Sequence, residues 1–384
     1  MELPPNSPKQ KLSPILGLPV DDEPVSLVKK AEFVVDDVAR PDISVIVPAR
    51  NEEANLPACL ASLLDQAGEF FALDKDWELI LVDDGSTDGT LALMKQAAAG
   101  RVGVRVLEAP ALEVRDSQRG FTGKTQACWT GAQAARGRYL VFTDADTVHE
   151  PASLVHALHE AKKHHASLLS YSPRQIVSGV WQHALMPLVF SELASVYPTA
   201  QVNDPDSRTA AANGQFLMVE REAYYAVGGH RAVGRSILED VDLAWNVKRS
   251  KRVIRFRYAP DALSTRMYRG FGDMVEGWTK NLALLFPHAL MLAAWRTLVI
   301  ALLLLPALLF MVHHLVEWQQ LAIMLLWARN LWRFFARVRR SNFPWVDCFL
   351  SVIALPLFIH LLVNSWMSHK MFHRVAWKGR DYRT

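Results

Sequence analysis

Two carboxylates separated by one alanine, Asp144 and Asp146, follow directly on the apolar run Tyr139-Leu-Val-Phe142. Carboxylates at the end of a buried strand are costly unless a cation neutralises them, and a divalent metal carrying phosphate oxygens would do so. Three further stretches put polar groups where an apolar run stops or a helix opens. They are Pro48-Ala-Arg-Asn-Glu-Glu53, Asp83-Asp84-Gly85-Ser86 and the pair Glu239-Asp240. Each on its own is what an ordinary turn or helix cap would use. Four of them gathered on one sheet edge form a far rarer coincidence, and ligands of open α/β sheets sit beyond the carboxyl ends of the strands.

Gly120-Phe-Thr-Gly-Lys-Thr125 superficially suggests a phosphate loop, but a Walker-type loop needs glycine where Gln118 stands. Lys124 at a helix start can still serve phosphate or a neighbouring carboxylate, against the plainer use as a solvated surface lysine. His230, after Gly228-Gly229, reads as a packed loop residue rather than a base.

The elements that must position these groups alternate. Ile43-Ser-Val-Ile-Val47 reads as a strand ended by Pro48, and Leu56, Leu60, Leu63 and Leu64 mark one face of a helix. Glu78–Val82 is the next strand, followed by a helix over Thr90–Ala99, a strand over Val104–Leu107 and a helix from Gly123 to Ala135. The strand carrying the two aspartates comes next, then a helix with Leu154 and Leu158 on one face. Asn213–Val219 is expected as a strand and Leu238–Arg249 as a helix. Val177–Tyr197 is expected as a buried or interfacial helix, because His183, Glu192 and Pro187 interrupt it. The β-α alternation predicts a doubly wound, mostly parallel sheet.

Charge is uneven along the chain. From Arg296 onward there are 11 Lys+Arg against 3 Asp+Glu, and before it 31 against 36. An acidic body with a basic, apolar tail points to a membrane-attached enzyme with its catalytic part in the cytoplasm. A net charge of +3 gives no case for nucleic-acid binding. Three cysteines without a Cys-x-x-Cys pair suit a reducing compartment and form no zinc site. Thr297–Val316 and Val346–Met367 are candidate spans, and Leu321–Phe335 a marginal one. Basic clusters at Arg333–Arg340 and Lys370–Arg383 both select the cytoplasmic side, which leaves two or three transmembrane helices. The expected division is an N-terminal arm over 1–41, a catalytic domain over 42–285 and a multi-pass region in the cell membrane over 286–384.

Taken together, Ile43–Glu53, Leu81–Thr90, Gly123-Lys124 and Thr143-Asp-Ala-Asp146 resemble the nucleotide-sugar half of a family-2 glycosyltransferase over roughly residues 42–285. The resemblance implies a GT-A fold, a Rossmann-like α/β domain, here with C-terminal transmembrane helices. Pro48, Ala49 and Glu52 would line the nucleoside pocket, Asp83 would read the base, and Asp84 would support the turn. Asp146, with Asp144, matches the motif that holds Mg²⁺ or Mn²⁺; Lys124 matches a donor-site lysine and Asp240 the catalytic base. Arg266 and Arg269 stand where processive members have Gln-x-x-Arg-Trp, and Gly270 replaces the tryptophan. That departure argues against a polysaccharide synthase and leaves Arg269 a diphosphate role. Tyr224-Tyr-Ala-Val-Gly-Gly-His230, Arg266-Met-Tyr-Arg269 and Glu276–Lys280 are similar to bacterial carotenoid glycosyltransferases of the diaponeurosporenoate type, and Trp377-Lys-Gly-Arg380 to lipid-acting membrane members. Trp278 is left to face an acceptor or to pack at a bilayer surface. The implied reaction is inverting transfer from a nucleotide-diphospho-sugar to a lipid-like acceptor. The alternatives are a polyprenyl-phosphate or polysaccharide precursor as acceptor, and a membrane-anchored nucleotide-sugar-binding protein without catalysis.

Overall fold

The computed structural model describes residues 40–66, 71–111, 120–312, 316–377 and 380–383, with two short strand pieces at 11–12 and 19–20. The expected N-terminal arm falls almost wholly outside the described residues, as do Lys378 and Gly379 of the tail.

The described chain begins with β1 (Ile43–Ala49) and α1 (Leu56–Leu64), then β2 (Trp77–Asp83), α2 (Thr90–Ala98) and β3 (Val104–Glu108). Next come α3 (Gly123–Ala134), β4 (Tyr139–Phe142), β5 (Thr147–His149), α4 (Ser153–Lys163) and β6 (Leu168–Ser172). Then follow β7 (Arg174–Gln175), α5 (Gly179–Val196), β8 (Leu217–Glu220), α6 (Glu239–Arg249), β9 (Ile254–Tyr258) and β10 (Leu263–Thr265). Seven strands form the central sheet in the order β9-β6-β8-β4-β1-β2-β3. All pairings are parallel except those of β8, which runs antiparallel to both neighbours. A smaller sheet, β5-β10-β7, lies beyond the two aspartates. Both faces of the main sheet are covered: Val45, Val47, Leu79 and Leu81 face one apolar cluster, and Ile46, Ile80 and Val82 face the other. Continuous apolar strands are what such double coverage requires. A Cβ on Gly131 of α3 would fall 2.5 Å from Ile46 Cγ2, so only glycine lets this helix lie so close to the sheet.

Pro48 does not end β1 as expected. The pairing of β1 with β4 stops at Ile46–Phe142, while its pairing with β2 continues through Pro48–Val82 to Ala49–Asp83. Proline is tolerated where one flank of the strand has already lost its partner. Asn213–Val219 is likewise a strand only from Leu217; its first half is a turn in which Asn213 Oδ1 accepts from Gln215 N at 2.9 Å. Asparagine makes that turn in place of a ladder.

Glu78, fully buried at the start of β2, ties together the sheet edge opposite the aspartates. Its Oε1 accepts from Ser44 Oγ (2.6 Å) and Arg136 N (2.7 Å), and its Oε2 meets Arg105 Nη2 (2.9 Å) and Arg136 Nε (3.0 Å). Burial pushes its pKa up, but the Ser44 and Arg136 hydrogen bonds and the two guanidinium charges outweigh burial and hold it below the ordinary value. The folded state therefore favours the ionised form, a contribution present above the unfolded pKa and lost as pH falls through the folded one. In Glu78→Gln, melting temperature should drop at neutral pH and fall less steeply than wild type on acidification. Parallel melting curves for the two proteins would contradict this account.

The described residues divide into two compact units, 40–274 with 332–354, and 275–331 with 355–383. The later helices are α7 (Phe271–Leu285), α8 (Ala289–Val312), α9 (Glu317–Val338), α10 (Trp345–Leu350) and α11 (Leu355–Lys370). Within the first unit α5 is largely buried from Gln182 to Glu192, as expected for that segment, and His183 Nδ1 meets Asp347 Oδ1 at 2.8 Å. Within the second, Ser365 Oγ accepts from Ala283 N at 2.8 Å, and Leu355, Phe358, Leu361 and Leu362 of α11 are buried.

The expected spans need correction. Val346–Met367 is not one helix, because a turn at 351–354 separates α10 from α11. Among the described residues one helix is long and apolar enough to cross a membrane, over Ala289–Pro306, with mean hydropathy 2.0 and 17% of that window buried. It starts eight residues before the expected Thr297, because Arg296, taken as a boundary charge, is buried inside it. Trp278 is also buried, which fits neither of its expected uses, facing an acceptor or packing at a bilayer surface.

Candidate active site

The loops after β1 and β2 are strapped together by short polar side chains. Thr90 Oγ1 accepts from Glu52 N (2.8 Å), Asn51 Oδ1 from Thr87 N (2.8 Å), and Ala49 O from Asp84 N (2.9 Å). Asp83 uses Oδ2 to accept from the amides of Gly85 and Ser86, both at 3.1 Å, and Gly85 takes φ +68° to close the turn. Its Oδ1 is buried without a protein hydrogen bond. An orphan acceptor there is costly unless something donates to it. Asp84 is pushed up to about 6 by burial, opposed by Arg50 and reinforced by Asp83. Glu52 Oε2 accepts from Asn55 Nδ2 (2.8 Å), and Asn55 Oδ1 from Arg269 Nη2 (2.9 Å), so Arg269 reaches Glu52 through one asparagine.

The charged centre lies between α3, β4 and α6. Thr122 caps α3 in a reciprocal box with Thr125, which sets Lys124 in the first turn. Lys124 Nζ stands 2.8 Å from Asp144 Oδ1 and 2.9 Å from Glu239 Oε1. Burial disfavours its charge, but Asp144 and Glu239 together hold its pKa well above the ordinary lysine value. Glu239 and Asp240 are the first two residues of α6, where backbone amides favour negative charge. Asp240 accepts from Gly214 N (2.7 Å) and Val241 N (2.8 Å). A Cβ on Gly214 would lie 3.1 Å from Lys124 Nζ, so glycine keeps this approach open. Burial first and the Glu239 charge second raise Asp240 to about 7, against Lys124 and the two amides. A carboxylate titrating near neutral pH is suited to accepting a proton.

Asp146 follows β4 by four residues, half-buried, and its carbonyl accepts from Thr265 Oγ1 at 3.2 Å. Burial, reinforced by Asp146, holds the Tyr268 phenol protonated; burial with Asp146 and Asp144 does the same to the Cys59 thiol. Among the described residues no three His, Cys, Asp or Glu side chains converge as a metal cage. Two carboxylates with the remaining positions left to phosphate and water are the donor set Mg²⁺ commonly takes; Asp144 and Asp146 supply that donor chemistry, one Asp144 oxygen being held by Lys124.

Pro48, Lys124, Asp144 and Asp240 line one cleft, together with Glu239 and Gly214. Ala49 is buried and its carbonyl accepts from Asp84 N, while Arg266 is exposed. His230 is buried with Nδ1 2.9 Å from Tyr224 Oη, and burial with Lys124 nearby pushes it down to about 3, so it packs as a neutral ring. Three participants escaped sequence reasoning: Glu239 as partner of Lys124, the Gly214 amide on Asp240, and Asn55 as the link to Arg269. The Glu-Asp adjacency and the Asn213-Gly214 turn signal were the only available hints.

Residues 44–228 match the family described as "Glycosyl transferase family 2". The chain is 28% identical over 362 residues to a 4,4'-diaponeurosporenoate glycosyltransferase of Staphylococcus haemolyticus, covering 88% of each. It is 26% identical over 351 residues to a protein of the same description from Staphylococcus aureus (strain MRSA252), again covering 88% of each. Among solved structures it is similar to a mannosyltransferase, PcManGT, from Pyrobaculum calidifontis, in complex with GDP-Man and Mn²⁺. That match has TM-score 0.53 and 17% identity, and covers 87% of this chain and 88% of the other. The chain thus has a GT-A-like α/β fold with a mostly parallel central sheet.

Proposed function

Because the chain carries a family-2 glycosyltransferase domain and is a nucleotide-sugar glycosyltransferase, we propose that it transfers the sugar, with inversion, to a lipid-like acceptor of the polyene carboxylic acid or alcohol class. The observation that carries this reading is the juxtaposition of Lys124, bridging Asp144 and Glu239, with Asp240 held by Gly214 N. Asp83, with its unfilled acceptor oxygen, is suited to a base N–H, and the Glu52–Asn55–Arg269 link suits the ribose-to-diphosphate stretch. Asp240 would take the proton of an acceptor hydroxyl as that oxygen bonds to the anomeric carbon and the nucleoside diphosphate departs. Lys124 and Arg269 would meet the charge that develops on the departing diphosphate. A divalent ion on Asp146 and Asp144, when bound, would neutralise the same diphosphate.

Exposed apolar side chains support a membrane setting. Met291, Trp295 and Leu304 of α8 and Leu321, Leu325 and Trp318 of α9 are all more than half exposed, and clustered exposed apolar side chains of this kind mark a membrane or partner surface. We place the catalytic part on the cytoplasmic side, where the arginines at 333, 337, 339 and 340 belong.

Purified protein incubated with UDP- and GDP-sugars and a polyene acid or polyprenol, with and without Mg²⁺ or Mn²⁺, should give glycosylated product and slow donor hydrolysis. Binding of the sugar nucleotides without product or hydrolysis under any condition would favour a non-catalytic binding protein instead.

A further inference from the structure

An exposed apolar patch lies on two segments that are hydrogen-bonded to each other and to residues next to the charged site. Ile176 (37% exposed), Val180 (60%) and Trp181 (43%) come from the stretch leading from β7 into α5, and Phe271 (47%) opens α7. Trp181 and Phe271 rings meet with centroids 5.9 Å apart and planes tilted by 50°. Ile176 N donates to Thr265 O at 2.8 Å, and Gln182 Nε2 to Tyr268 O at 3.2 Å, so the segments are held as one surface. Gln175, next to Ile176, donates through Nε2 to Gln215 Oε1 at 3.4 Å. Gln215 in turn adjoins Gly214, whose amide holds Asp240. On the other side Thr265 Oγ1 bonds the carbonyl of Asp146. Hydrogen bonds and adjacent backbone thus connect the segments that carry the patch to the residue flanking Gly214, which holds Asp240, and to the backbone of Asp146.

Four large apolar side chains left in water on segments tied to a charged site favour a ligand with a polar end and an apolar body. We propose that Ile176, Val180, Trp181 and Phe271 form the acceptor subsite, a platform on which the hydrocarbon body of the acceptor lies while its polar end reaches Asp240. This rests on the glycosyl-transfer reading above and names the part of the protein that selects the acceptor. The two rings are the specificity-determining residues. They hold the apolar body and take no part in proton or phosphate chemistry.

Retinoic acid, a polyene acid that cross-links to protein on illumination, serves as the probe, with no sugar nucleotide present. Purified wild-type chain should show saturable labelling, displaced by excess unlabelled acid, on peptides containing Ile176–Trp181 or Phe271. Trp181→Ala and Phe271→Ala should each reduce it about tenfold, the loss expected when roughly half an aromatic side chain loses its contact. Val102→Ser, an exposed apolar position elsewhere, should leave it unchanged. Both ring variants should retain wild-type binding to anionic phosphatidylglycerol vesicles. Label confined to Ala289–Val312 or Glu317–Val338, labelling unchanged in the ring variants, or loss of vesicle binding in step with labelling would each overturn the proposal. The last would mark the patch as a lipid surface. If transfer fails in every assay while the patch is labelled, the reaction assignment is at fault and the subsite stands.

Discussion

Asp240→Asn should lower transfer to a hydroxyl acceptor by about 10³-fold, within the range typical of a lost general base, while donor affinity stays within about twofold. The amide is isosteric and can still receive one of the two hydrogen bonds from Gly214 N and Val241 N, so the cleft keeps its shape. With Asp240 raised to about 7, wild-type kcat/KM for that acceptor should climb as pH rises through neutrality, when the base loses its proton, and then level off. The variant should show no such limb. A carboxylic-acid acceptor is already ionised near neutral pH and has no proton to surrender. With it the loss in Asp240→Asn should be much smaller, so the ratio of the two effects reports which nucleophile the site was built for. Normal turnover of a hydroxyl acceptor by Asp240→Asn would remove the residue from the base role.

The second large effect is expected at Asp146. Asp146→Ala should abolish the Mg²⁺- or Mn²⁺-dependent part of donor binding, weakening it by about 100-fold at saturating metal, since losses up to that size already follow when a group that only orients a metal ligand is removed. Asp144→Ala is a different perturbation, because it also removes one of the two partners of Lys124 and leaves that ammonium to Glu239 alone. Titrating the nucleotide with and without EDTA separates the cases. Asp146→Ala should become insensitive to the chelator, and an Asp146→Ala protein that still gained affinity from metal would refute the ligand assignment.

The strand-end placement of the carboxylates was legible because such chemistry is local. Asp83, Asp144 and Asp146 each follow an apolar run within a few residues, and a parallel sheet brings such ends to one edge. What escaped was contact across the chain. Nothing near Lys124 announces Glu239, 115 positions later, and nothing near Arg269 announces Asn55. The Asn213 turn was hidden because Phe216-Leu-Met-Val219 is apolar enough to read as strand throughout. The tail misled for a related reason. Hydropathy sees the apolar content of Val346–Met367 but not the turn at 351–354, nor that α11 spends its apolar face on packing within its own unit. The same measure read Arg296 as an edge although the helix runs through it.

The reversed strand β8 has a consequence for how this enzyme can change. β6 leaves the sheet at the catalytic edge, and because β8 runs the opposite way the chain re-enters at that same edge. Everything from Pro173 to Ala212, including α5 and most of the apolar patch, is therefore an excursion that departs from and returns to one rim without carrying a strand of the donor half. Substitutions along it leave the ladders joining β1, β2 and β4 untouched, while Lys248, Phe256 and Asp347 keep it anchored to the rest of its unit.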